Sequence, residues 1–300
     1  QAIREKLGLS WPESSATQTP VQPEVPEEPE VEAVSSLEDL QSRLARAIAA
    51  AEQPPVFDVS SLGEQEELHL TVRNLYYGIL SNHPEYKYAY DLTAEVGEDG
   101  LLHCSVSYMP YRTGGFPADF QGAEVSPLRE LLQAAREGLG QESVSVRITD
   151  PALKVDDMNR ALQQVGGSYL LCQLNRDGTA VTVAPQGGLS REEALARLEE
   201  INGLVEQVYS RVITPGMDQR EQAQALYTYL TERVGYDFRY YSQPEEMPYD
   251  SMTAYGALHD GLAICGGYAQ ALQALFERAG IPCITVSGTM GSEYHMWVLA

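Results

Sequence analysis

The sequence predicts an α+β protein, and three observations carry that prediction. Two stretches each run helix, strand, Asp-Gly turn, strand, with the turns at Asp99-Gly100 and Asp177-Gly178, 78 residues apart. Two longer helical patterns open on capping boxes, Ser190 with Glu193 and Asp218 with Glu221. An apolar helix beginning at Cys265 is followed by strand-like stretches around Val286 and around His295-Met296-Trp297.

The elements follow in chain order. Residues 12–34 hold Pro12, Pro20, Pro23, Pro26 and Pro29 with six glutamates and no basic residue, so they lack the apolar surface that offsets chain entropy. Residues 1–36 are therefore expected to be a disordered, acidic linker, serving as a stalk or as a plain tether. Ser36 and Asp39 start a helix with Leu37, Leu40, Leu44, Ala47 and Ile48 on one face, and Pro54-Pro55 stops it, giving a helical segment over 37–55. A second helix is predicted from Glu66 to Leu80. Tyr86–Tyr90 then alternates like a strand, and a return strand runs through Leu102, Cys104, Val106 and Tyr108 to Pro110. The order recurs as a helix over Asp156–Val165, a strand Tyr169–Leu174, and a strand Ala180–Ala184 ended by Pro185. Two copies are too few for a solenoid, so 56–187 reads as one α+β region with two helix-hairpin units. Its tyrosine-rich strands are expected to pack a sheet; lining a binding groove is the lesser reading.

Residues 188–300 form the expected core. The helix from Ser190 carries Leu195, Leu198, Ile201, Val205, Val208 and Val212 and ends at Thr214-Pro215-Gly216. The next aligns Ala223, Leu226, Leu230 and Val234 before a loop with Pro244 and Pro248. Ala269, Leu272, Leu275, Phe276 and Ala279 define a buried helix, and Gly266-Gly267 place Cys265 at its start. A thiol there faces unpaired backbone N–H groups and the positive end of the helix dipole, which favour the nucleophilic thiolate. The same N–H groups suit a developing oxyanion.

This stretch resembles the transglutaminase-like superfamily of cysteine acyl-transfer enzymes, whose fold is papain-related. The resemblance rests on Cys265-Gly266-Gly267-Tyr268-Ala269, Gly280-Ile281-Pro282-Cys283, a strand ending in Gly288, and His295-Met296-Trp297. It is strongest over Thr253–Val298 and extends more weakly to the helices from Ser190 and to His83-Pro84-Glu85, similar to a turn in bacterial members. It implies that Cys265 is the nucleophile and His295 the general base, in a protease or transamidase acting on a peptide amide through a thioester. No cofactor or metal is implied. The family's Asp or Asn that orients the histidine is expected past Ala300, with Glu293 and Asp260 as substitutes. Cys283 reads as a packed thiol and His259 as a loop histidine. The rival reading is a catalytically silent cell-surface binding or scaffold module with the same fold.

Composition narrows the partners. Twenty basic against 43 acidic residues leave a net charge of −23, which argues against nucleic acid and anionic membrane surfaces; the resemblance implies a protein or peptide substrate, with cell-wall-associated ones among the candidates. The four cysteines contain no C-x-x-C pair, so a disulfide scaffold and a structural zinc site are not expected; Cys104 and Cys172 are either a pair or two separate core thiols. No apolar run reaches the ~18–20 residues that span a bilayer. The start at Gln1 and the end inside an apolar stretch read as a fragment cut at both ends, incomplete at the C-terminus of the core, and the location is expected to be extracellular or cell-surface tethered.

Overall fold

A computed structural model describes residues 30–63, 67–291 and 293–300. The linker expectation for residues 1–29 lies outside the described residues. Val31–Ala33, assigned to that linker, form a strand (β1) instead, because Val31 lies opposite Val56 in a parallel pairing with the next strand.

The first sheet unit runs β1, α1 (Leu37–Ala50), β2 (Val56–Asp58), α2 (Leu68–Asn82), β3 (Ala89–Val96) and β4 (Leu102–Tyr108), with sheet order β1-β2-β4-β3. Leu40, Leu44 and Ile48 on α1 are fully buried, so the helix belongs to this unit and is no separate segment. Ser36 caps it, its hydroxyl accepting from the Asp39 N–H at 3.2 Å. Tyr86 is not in a strand: Pro84, with its fixed φ, opens a 3-10 turn over Pro84–Tyr86, and the strand begins only at Ala89.

After a short helix α3 (Pro110–Thr113) the same order repeats: β5 (Ala123–Val125), α4 (Leu128–Glu137), β6 (Ser143–Ile148), α5 (Val155–Leu162), β7 (Leu170–Leu174) and β8 (Ala180–Pro185), in sheet order β5-β6-β8-β7. The repeat is thus larger than a helix and a hairpin. Each copy is βαβαββ, with a parallel first pair (β1–β2, β5–β6) and a closing antiparallel hairpin. The hairpins turn at Asp99-Gly100 and Asp177-Gly178, where each glycine takes positive φ, 76° and 72°.

Three tyrosines of this region bond to backbone carbonyls. Tyr76 donates to the Ala89 carbonyl (2.8 Å), Tyr88 to that of Ile48 (2.8 Å) and Tyr108 to that of Glu52 (2.6 Å). Their rings pack while their hydroxyls terminate backbone carbonyls. Cys104 and Cys172 are both free thiols, and burial pushes them up to about 12 and about 11, respectively.

The core follows with α6 (Arg191–Val212) and α7 (Gln219–Arg233), then β9 (Gly235–Tyr236), α8 (Arg239–Ser242), β10 (Leu262–Ala263), α9 (Cys265–Arg278), β11 (Ile284–Met290) and β12 (Glu293–Leu299). Both capping boxes form: Ser190 accepts from Glu193 N–H (3.2 Å) while Glu193 accepts from Ser190 N–H (2.7 Å), and Asp218 and Glu221 reciprocate at 2.8 and 2.9 Å. Helix α9 is the centre of this part, packed between α6, α7 and β12. β11 and β12 are an antiparallel pair in which Gly288 faces His295; Gly288 lies inside β11, which continues to Met290, and not at its end. No helix among the described residues is long and apolar enough to cross a membrane.

Candidate active site

The backbone around Cys265 is held by close approach. The residue before it, Ile264, has no side chain that can cap α9, so the first N–H groups of the helix receive no side-chain partner. Ile264 is itself tied down by its N–H donating to the Ser251 carbonyl at 2.8 Å. That carbonyl belongs to a 3-10 turn, Tyr249–Met252, that lies directly on the start of α9. A Cβ on Gly267 would stand 2.8 Å from the Thr253 carbonyl oxygen and 2.9 Å from that of Ser251. Glycine is therefore required for the turn to lie this close to the helix, which is the physical content of the Gly-Gly that follows Cys265.

One charged group at this site escaped the sequence reading. Asp237, 2% exposed, follows β9, and its N–H donates to the Ala263 carbonyl at 3.0 Å, two residues before Cys265. Its carboxylate receives Arg239 Nε and Nη2, both at 2.9 Å, and the Ser251 hydroxyl at 2.7 Å. The bidentate guanidinium, then the serine hydroxyl and the Arg239 N–H, hold the carboxyl down to about 2 against the opposing effect of burial. Because the folded value lies below the ordinary Asp value, this ion pair contributes stability that is complete above about pH 4 and is lost as pH falls toward about 2. Asp237→Asn is expected to flatten the acid limb of the melting temperature between those pH values; an unchanged limb would show that the carboxylate is not the group that titrates. The only signal in the sequence was the Asp-x-Arg spacing inside a loop without periodicity.

Cys265 and His295 line one cavity of about 400 Å³, together with Tyr236, Tyr268, Leu272 and Trp297. No hydrogen bond joins the thiol to the imidazole. His295 reaches the cavity from β12, which packs along α9. Its ring stacks on Trp297, with centroids 6.2 Å apart and planes at 23°. Trp297 in turn lies over Gly288, where a Cβ would come within 2.9 Å of the indole. The glycine in β11 thus makes room for the tryptophan that supports the histidine.

The carboxylates considered for orienting His295 are engaged elsewhere. Glu293 accepts from the Tyr241 hydroxyl at 3.0 Å, and Asp260 pairs with His259 Nδ1 at 2.7 Å. Among the described residues no carboxylate forms an ion pair with His295. His259 sits in a π-helical turn, Gly256–Asp260, stacked on Tyr255 at 4.5 Å, and does not line the cavity of Cys265. Cys283 is half-buried, its Sγ 3.7 Å from the Gln273 carbonyl, and burial, with Glu277 adding to it, raises its thiol above the ordinary range. A larger, open hollow of about 720 Å³ lies at the α6–α7 turn, lined by Thr214, Pro215 and Gln224, and holds neither cysteine nor histidine. No cluster of His, Cys, Asp and Glu suited to a metal ion occurs among the described residues.

Residues 206–299, the segment that contains Cys265 and His295, match the model of the transglutaminase-like superfamily. Among solved structures, one of "a TGase" is similar over 52% of this chain and 47% of its own, at 14% identity and a TM-score of 0.29. This chain therefore spans about half of that protein's length, and so loose a superposition says nothing of reaction or substrate. No curated protein matches the chain.

Proposed function

We propose that the protein is a cysteine-dependent acyltransferase acting on peptide amides, with Cys265 as nucleophile and His295 as general base. The observation that carries the reading is that a cysteine at the uncapped N-terminus of α9 shares a cavity with a histidine from the neighbouring strand. His295 takes the proton of Cys265, and the sulfur attacks the amide carbonyl carbon. A C–S bond forms and the carbonyl electrons move to oxygen, where the N–H groups of Cys265 and its successors stabilise the charge. The C–N bond then breaks and the amine departs with the proton held by His295. Water or a second amine, deprotonated by His295, resolves the thioester, giving hydrolysis or transamidation. The acidic, proline-rich N-terminal composition supports a location outside the cell or at its surface, which cell fractionation tests: a wholly cytosolic protein would overturn it.

An activated acyl donor tests the chemistry without knowledge of the natural substrate. Incubation with p-nitrophenyl acetate is expected to leave an acetyl group on the peptide containing Cys265, removable by hydroxylamine, and none on Cys283. Equal labelling of both thiols, or of neither, would remove the basis for assigning a nucleophile.

A further inference from the structure

Nothing in the proposed chemistry uses the duplicated sheet units, yet the second of them is bonded directly to the backbone that seats Cys265. The link begins at Ser168-Tyr169, just ahead of β7. Ser168 is held at φ 68°, a left-handed conformation that is costly for a residue with a Cβ. Its carbonyl accepts from the Tyr249 hydroxyl at 2.5 Å, and its hydroxyl donates to Gln270 Oε1 of α9 at 3.0 Å. The same Gln270 donates through Nε2 to the Met252 carbonyl at 3.1 Å.

Beside it, Tyr169 is fully buried. Its hydroxyl donates to Asp250 Oδ1 at 2.5 Å, and Thr253 Oγ1 lies 2.8 Å from the tyrosine hydroxyl oxygen. The second carboxylate oxygen of Asp250 faces Arg197 Nη2 at 3.5 Å, so the aspartate is gripped from the sheet unit and from α6 at once. Thr253 is also fully buried. The residues between Asp250 and Thr253 present the carbonyls that bind Ile264 and crowd Gly267. The turn is therefore bonded at one side to the sheet unit and at the other to the residues flanking Cys265. The phenol and the threonine hydroxyl are buried, so a shift of Asp250 would leave the phenol short of its acceptor, and this directional contact fixes the turn more closely than apolar packing alone.

We infer that Tyr169 is a positioning residue for Cys265, acting through Asp250 and the 250–253 turn, so that the second βαβαββ unit sets the reactivity of the nucleophile. This rests on the reading of Cys265 as nucleophile, and the experiment separates the two. Iodoacetamide alkylation of Cys265 is followed across pH in the full chain, with Cys283 as internal reference and thermal melting as a check that each variant is folded. Tyr169→Phe keeps the ring and removes only the hydroxyl. It is expected to slow Cys265 alkylation about tenfold or more, since small displacements of a reacting group carry large rate penalties, and to shift its pH profile while Cys283 is unchanged.

Asp250→Asn retains an acceptor for the phenol and should recover most of the rate that Asp250→Ala loses. The double variant Tyr169→Phe, Asp250→Ala should be no slower than Asp250→Ala alone, because both act through one contact. Should Tyr169→Phe not fold, Tyr249→Phe, which releases the Ser168 carbonyl, is expected to slow Cys265 in the same direction. A lowered melting temperature with the Cys265 profile unmoved would mean that the tyrosine only stabilises the fold, and overturns the inference. A wild-type Cys265 no faster than Cys283 would overturn the nucleophile assignment, and this inference with it.

Discussion

Cys265→Ala is expected to abolish acyl transfer while leaving the melting temperature nearly where it was. The side chain is small and only half-buried, so its loss leaves little cavity and no orphaned partner. The chemical loss is of a different size. Removing the nucleophile of a hydrolase costs on the order of 10⁶ in turnover, because the groups around it act as a unit and lose their function together. His295→Ala should come close to the same floor, since without the imidazole nothing among the described residues that line the cavity can take the thiol's proton. The two substitutions combined should be no worse than either alone. A double variant much less active than both singles would show that the residues work independently, and that the shared cavity is not one site. Residual turnover of Cys265→Ala within about tenfold of the wild type would place the nucleophile elsewhere.

Gly267→Ala is expected to lower the melting temperature and to suppress Cys265 reactivity together. Two effects oppose each other here. Alanine favours the helix by about 1 kcal/mol over glycine. Against this, the added Cβ meets the Ala263 Cβ at 2.8 Å and two backbone carbonyl oxygens at 2.8 and 2.9 Å. Backbone cannot rotate out of the way, and overpacking of this kind costs about 1–3 kcal/mol. The crowding wins, and it is relieved by moving α9 away from the 250–253 turn, which moves Cys265. Gly203, inside α6, is the matched control: a Cβ there meets nothing within 4 Å, so Gly203→Ala should stabilise by about 0.5–1 kcal/mol without touching reactivity. If both alanines stabilise, the contact of the turn with α9 is looser than the distances imply.

What could be read from the sequence was what depends on neighbours along the chain. The capping boxes at Ser190 and Asp218 and the Asp-Gly turns are local, and each formed where its residues stood. The parallel pairs β1–β2 and β5–β6 were invisible for the opposite reason. β1, β2 and β5 are only three residues long, too short to show a period, and their partners lie across an intervening helix. Val31–Ala33 was hidden further by the acidic composition around it. At the site, apolar periodicity marked the helix that Cys265 opens, whereas the pairing of Cys265 with His295 came from the family resemblance; the two residues line one cavity. Asp237 was not, since its partners, Arg239 and Ser251, acquire meaning only when β9 is laid beside β10. The role of Gly267 was half legible: the residue marked the helix start, but the carbonyls that demand it come from a turn some fifteen residues earlier.

The βαβαββ duplication has a consequence for how this architecture can acquire new behaviour. Tyr88 and Tyr169 occupy equivalent places, each the last residue before the third strand of its copy. In the first copy the phenol turns inward and ends on the Ile48 carbonyl at the close of its own helix; in the second it leaves the unit and meets Asp250. In one unit the tyrosine fastens the unit to itself, and in the other it fastens the unit to the turn beside Cys265. A tandem duplicate permits such divergence because the first unit goes on meeting the needs of a self-contained sheet while its twin is released to become a fitting between two machines.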